Sequence, residues 1–152
     1  MQGMISRYDR LTCLLSGRFV ESIALLALRV ALAGIFWRSG QTKVVEGTWL
    51  EVSDATRYLF ENEYSGVPLP PDLAATLATW SEHFWPVLLV LGLATRLSAF
   101  ALLGMTLVIQ IFVFPEAWWT THILWVAMAL ALVSRGGGLF SLDAIVGRMR
   151  GK

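Results

Sequence analysis

Six polar side chains stand out in an otherwise apolar chain: Arg29, Lys43, Glu82, His83, Gln110 and His122. Arg29 lies inside Ile23 to Trp37, a run apolar enough for a lipid bilayer. An ionised group there costs about 2.5–3.5 kcal/mol to insert, so it needs a partner or water. Reading depth along each apolar stretch sets Glu82, His83, Gln110 and His122 in the same outer half, with Arg29 a few ångströms deeper, roughly 12 Å below the end of its helix. This places Arg29 and Glu82 as a buried ion pair, with His83, Gln110 and His122 as ligand contacts around an outward-facing pocket. Glu82 and His83 are adjacent, about 100° apart on a helix, which weighs against both facing inward.

Other chemistry fits the same residues. Two histidines on different spans are the minimum for bis-histidine haem or for copper or another metal, though no His-rich or Met-rich cluster accompanies them. Purely structural readings also stand: Arg29–Glu82 as a lock between helices, Gln110 as an interhelical hydrogen bond, and His122 in an aromatic belt with Trp118, Trp119, Trp80 and Trp85. Ala27, Ala31 and Gly34 have the size for close helix packing. No nucleophile–base triad, phosphate loop or pair of catalytic carboxylates is present, so no catalytic residue is assigned. Cys13 is the single cysteine, without a CxxC partner, so a redox role would require a bound cofactor.

These residues need elements to position them. The 152 residues suffice for one domain, and a mean hydropathy of +0.62 with 15% charged residues is too apolar for a soluble globule of that size. A net charge of +1 with no basic cluster excludes nucleic acid as a partner. The expected fold is an all-α bundle of four transmembrane helices, at 22–39, 76–95, 97–114 and 119–134. An amphipathic interfacial helix precedes them over 1–21, carrying Met4, Ile5, Tyr8, Leu11, Leu15 and Phe19 at helical spacing. The N-terminal stretch lacks the layout of a cleavable signal peptide. One larger outer loop spans 40–75, acidic and aromatic, in which Ser53-Asp54 caps a short helix and Asp72 the next span. From Leu77 to Phe114 the apolar stretch is roughly twice a bilayer core, so it turns back near Arg96. Gly136-Gly137-Gly138 closes the last span, and Ser141 caps a short tail helix within 139–152.

Arg7, Arg10, Arg18, Arg96, Arg135, Arg148, Arg150 and Lys152 fall on one side of this arrangement, against Arg38, Lys43 and Arg57 on the other. Eight against three sets both termini in the cytoplasm of a bacterial inner membrane, with the acidic loop outside.

Leu28-Arg29-Val30, Gly34-Ile35-Phe36, Gly40, Lys43, Glu82, Leu91-Gly92-Leu93-Ala94-Thr95-Arg96 and the closing Gly136-Gly137-Gly138-Leu139-Phe140-Ser141-Leu142-Asp143 follow in an order that resembles the DoxX family of small four-helix membrane proteins. The resemblance covers about Ala24 to Ile145. The loop Tyr64 to Pro71 and the turn Phe112 to Trp118 are similar to the DoxX members encoded beside peptide-modifying enzymes in copper-responsive gene clusters. The family's closing motif more often has proline where Gly137 stands. The resemblance implies Arg29, Lys43 and Glu82 as the family site, and links to quinone-coupled sulfur oxidation and to oxidative, thiol or metal stress. The leading expectation is a redox-associated subunit that binds a quinone or similar amphiphile, works with a membrane or periplasmic protein partner, and is open to homo-oligomerisation. A non-catalytic anchor docking a periplasmic protein or modified peptide, and a small metal or metabolite transporter, are the alternatives.

Overall fold

The computed structural model describes residues 17–151. The expected surface helix therefore lies outside the described residues up to position 16; from Arg18 onward the chain is already part of the first span. That span is α1, Arg18–Gln41. It is followed by a short helix, α2, Asp54–Asn62, in the loop expected on the outer side and called the outer loop, then by α3, Pro71–Leu91, and α4, Thr95–Phe112. A 3-10 turn at Pro115–Ala117 and a π turn at Trp118–His122 lead directly into α5, Ile123–Arg135, and the tail helix α6 is Leu142–Met149.

Among the described residues, three helical stretches are long and apolar enough to cross a bilayer: Arg18–Gln41, Thr95–Phe112 and Pro115–Arg135. The expected count of four spans is corrected to three. The helix that falls short is α3, where Asp72, Thr76, Thr79, Ser81, Glu82 and His83 dilute the apolar residues. Several of these turn inward, since Thr79, Glu82 and His83 are buried. α3 packs along α1 and returns the chain to the end where α4 begins.

The helices close on a core of Leu25, Leu32, Ala33, Phe36, Leu89, Ala99, Leu102, Ala129 and Leu132. Ala27, Ala31 and Gly34 face outward instead of packing, and the tight approach in α1 is made by Gly40. A Cβ on Gly40 would meet His83 Cε1 at 2.8 Å and Glu82 Cβ at 3.2 Å, so glycine is what lets α1 and α3 touch there. The outer loop has its own small core of Val52, Phe60, Ala74 and Ala75. It is pinned by a bridge between Val44 and Val52 and by the Ser53 hydroxyl, which accepts from Thr56 N at 3.2 Å to cap α2.

The turn between α3 and α4 occupies Gly92 to Ala94, ahead of Arg96. Gly92 has φ +68°, and a Cβ on it would fall 2.6 Å from an Arg29 nitrogen. Both its conformation and its space call for glycine.

Candidate functional site

The six polar residues separate into two groups at opposite ends of the helices. Arg29 is at the end that holds the Gly92 turn. It is 1% exposed and donates to four backbone carbonyls: Nε to Leu89 at 2.8 Å, Nη1 to Gly137 at 3.0 Å and Phe140 at 2.8 Å, and Nη2 to Val90. Leu89 and Val90 are in the last turn of α3, where carbonyls run out of i+4 partners and a cation is favourable; the Leu89 carbonyl also accepts from Gly92 N at 3.1 Å. Asp143 joins the same knot, accepting from Ala94 N and Thr95 N at 2.8 Å each to cap α4, while its own N–H donates to Gly92 O at 2.9 Å.

The expected Arg29–Glu82 pair is therefore absent. α1 runs on to Gln41, so Arg29 lies twelve residues from its end, about 18 Å along the axis at 1.5 Å per residue. Reading the helix as ending near Trp37 set Arg29 too close to Glu82.

Glu82 instead meets Lys43, with Nζ 2.7 Å from Oε2. Lys43 also donates to the Ser39 hydroxyl at 2.9 Å and the Ser39 carbonyl at 3.3 Å, a contact that its position four residues beyond Ser39 makes natural. The side chains are 15% and 3% exposed, so the pair is largely withdrawn from water while Lys43 keeps one open side.

That pair stands in the wall of a cavity of about 450 Å³. The volume is in the range of small-molecule sites. The cavity exists because small side chains face each other: Ala74, Ala78 and Ser81 on α3 and Gly104 on α4, where a Cβ would meet nothing within 4 Å. Phe36, Met105, Ile109 and Trp125 supply apolar walls, and Phe60, Tyr64, Val67 and Leu69 come down from the outer loop. Leu69, Leu77, Val108 and Phe114 also line it and are themselves exposed, so the rim is apolar.

Tyr64 packs edge-on against Phe60 and Phe114. Burial, and then the charges of Glu63 and Glu82, push its phenol above the ordinary tyrosine range, so the hydroxyl stays a donor. His122 is 2% exposed, projects from the π turn, and lies against Trp125. Its Nδ1 is 2.7 Å from Gln110 Oε1. Gln110 does not line the cavity and reaches it only through His122.

His83 turns to the other side of α3. Its Nδ1 bonds the Thr79 carbonyl at 2.7 Å, which makes Nδ1 the protonated nitrogen, and Nε2 accepts from Gln41 Nε2 at 2.9 Å. Both ring nitrogens are committed, and Trp37 covers the ring edge-on at 5.1 Å. No group of three His, Cys, Asp or Glu side chains placed to hold a metal occurs among the described residues. The copper and haem readings, which rested on His83 with His122, thus lose their donor set.

Of the expected site residues, the structure brings together Lys43, Glu82 and His122 with Gln110 behind, and separates Arg29 and His83 from them. It adds Tyr64, Ser39 and Ser81. Ser81 and the alanines beside Glu82 carried a usable signal: small residues at Ala74, Ala78 and Ser81 on the helix face that also holds Glu82 mark a face with space on it. Tyr64 carried none, since its position depends on how the loop folds back.

A relative in Haemophilus influenzae, itself described as an uncharacterized protein, is 29% identical over 142 residues, covering 83% of this chain and 85% of its own length. No solved structure matches the chain significantly. The DoxX family model matches residues 24–115, more than half of the chain and including α1, Lys43, Glu82 and the Gly92 turn. The chain belongs to the DoxX family and is a multi-pass inner-membrane protein.

Proposed function

We propose that the cavity beside Lys43 and Glu82 binds a small membrane-soluble amphiphile of the quinone class, and that the protein serves there with a partner as a redox-associated subunit. The observation that carries this reading is the composition of the wall: an apolar chamber of about 450 Å³ whose few polar groups are Lys43–Glu82, Ser39, Ser81, Tyr64 and His122. Sites of this kind take a ligand's apolar body by area and fix its orientation with a few polar groups. Lys43 and Tyr64 donate to a ligand oxygen. The exposed apolar rim at Leu69, Leu77, Val108 and Phe114 suits entry from the lipid. The frequent links of DoxX proteins to redox and stress support a quinone over a simple fatty acid.

The cavity opens at the outer face in this reading. Arg18, Arg96, Arg135, Arg148 and Arg150 belong to the Arg29 end, and the excess of basic residues there sets it toward the cytoplasm.

The test is binding of a short-chain quinone to the full-length protein in lipid nanodiscs, compared with Gly104→Leu, which fills the chamber without touching a charge. Saturable binding by the wild type that Gly104→Leu abolishes is the expected result. Equal uptake by both proteins, at the level of empty nanodiscs, would end the proposal.

A further inference from the structure

His122 is the one wall group whose hydrogen-bonding sense can be fixed from its surroundings. The Gln110 side-chain amide donates through Nε2 to the Pro115 carbonyl at 2.7 Å. A flipped amide would set its oxygen against that carbonyl, two acceptors at hydrogen-bond distance, so Oε1 must be the atom facing His122. Oε1 only accepts. The 2.7 Å contact therefore requires the proton on His122 Nδ1. The ring is buried and makes no ion pair among the described residues; in its neutral form, with the proton on Nδ1, Nε2 is a bare lone pair.

That lone pair has no protein partner among the described residues. Thr95 Oγ1 is the sole sealed polar side-chain atom without a partner among them, so His122 Nε2 is not sealed, and the residue lines the cavity. The Pro115 carbonyl, acceptor for Gln110 Nε2, anchors the relay. The π turn then carries His122 from that anchor into the wall.

We infer that His122 Nε2 is a fixed acceptor that selects ligands bearing a hydroxyl, a phenol or a hydroquinone, over the same body carrying only carbonyl or ether oxygen. The inference rests on the cavity being an amphiphile site. Within it, Lys43 and Tyr64 donate to one ligand oxygen while His122 accepts from a hydroxyl. A ligand without that hydroxyl sets its own lone pairs against Nε2 and leaves both groups unpaired in an apolar chamber. Gln110 is a positioning residue: it touches no ligand and acts by holding the tautomer.

The probes are 4-heptylphenol and its methyl ether, 4-heptylanisole, which share a body and differ in the hydroxyl. Titrated into the full-length protein in nanodiscs, the phenol binds about tenfold more tightly, the size of one well-made hydrogen bond in a dry site. His122→Phe removes the preference, so that the phenol and the anisole bind with equal affinity. Gln110→Leu narrows the preference by releasing the ring to either tautomer. The nitrogen-15 spectrum of the wild type gives a readout that requires no variant to fold: Nε2 resonates as an unprotonated nitrogen and moves when the phenol is added. Equal affinity for the two probes, an Nε2 that carries the proton, or a preference that survives His122→Phe would each overturn the inference while leaving the cavity as a binding site. If neither probe binds, nor a short-chain quinone, it is the cavity reading itself that fails.

Discussion

The two ends of the protein each bury a cation, and they treat it differently. Arg29 spends its guanidinium on four carbonyls from α3 and the glycine loop, and Gly92 leaves no room beside it. Lys43 has one carboxylate and the two oxygens of Ser39, with an open chamber alongside. A charge whose donors are saturated by backbone holds elements together and has nothing left to offer a ligand. A charge paired but still flanked by space can exchange part of its bonding for a guest. The comparison teaches that burial of a charged residue in a membrane helix does not by itself mark a functional site; what matters is whether its bonding capacity is used up.

The sharpest way to break this contrast is Arg29→Leu. The variant strands the carbonyls of Val90, Gly137 and Phe140, leaves Leu89 with Gly92 N alone, and unties α3 from the loop after α5. By analogy with removing one partner from a buried charged network, the loss is about 3–5 kcal/mol, enough to take a marginally stable protein below the level at which it accumulates. Thermal unfolding in detergent, with yield from the membrane, checks it. An Arg29→Leu protein as stable as the wild type, yet unable to bind the quinone, would reverse the roles assigned to the two ends.

Glu82→Gln is the corresponding change at the other end and is expected to be milder for the fold. The amide oxygen still accepts from Lys43, Ser39 still anchors the ammonium, and the core of α1, α3, α4 and α5 is untouched. About 1–2 kcal/mol of stability is lost, in keeping with one hydrogen bond to a charged group weakened. Ligand affinity moves more than stability does, because the ammonium is no longer neutralised where the guest must sit. A large drop in Tm with affinity unchanged would make Lys43–Glu82 a second structural lock.

Much of this was legible in the residues, and the failures have physical causes. Caps at Ser53 and Ser141 follow from side-chain oxygens placed three residues ahead of the N–H they accept from, an interaction that is local in sequence. The apolar runs revealed α1, α4 and the third span. The polarity of α3 was visible too, but a continuous apolar tail from Pro86 to Leu91 invited reading it as one more span. Site residues were found by type and placed by depth, and depth was the weak step. Four extra residues beyond Trp37, ending at Gln41, and a turn at Gly92 moved Arg29 away from Glu82, and only the long-range approach at Gly40 shows that Lys43 replaces it. His83 and His122 look alike in the sequence; one is bonded at both nitrogens and the other at one, a difference that neighbours distant in the chain decide.

The smallest effect belongs to the exposed ion pair of Arg57 with Asp72, which ties α2 to the start of α3. Its side chains are 45% and 78% exposed, so water and salt screen the attraction and little desolvation is at stake. Arg57→Ala is expected to change stability by no more than about 0.5 kcal/mol, and less still in high salt. The three substitutions then form a series in which the burial of a bonded cation falls, from the sealed Arg29 on its carbonyls through the half-enclosed Lys43 to the open Arg57. Unfolding measured at low and high ionic strength tests the series as a whole. If Arg57→Ala cost as much as Glu82→Gln and the cost persisted in salt, enclosure would not be what separates these charges, and the division into a structural end and a ligand-binding end would have to rest on something else.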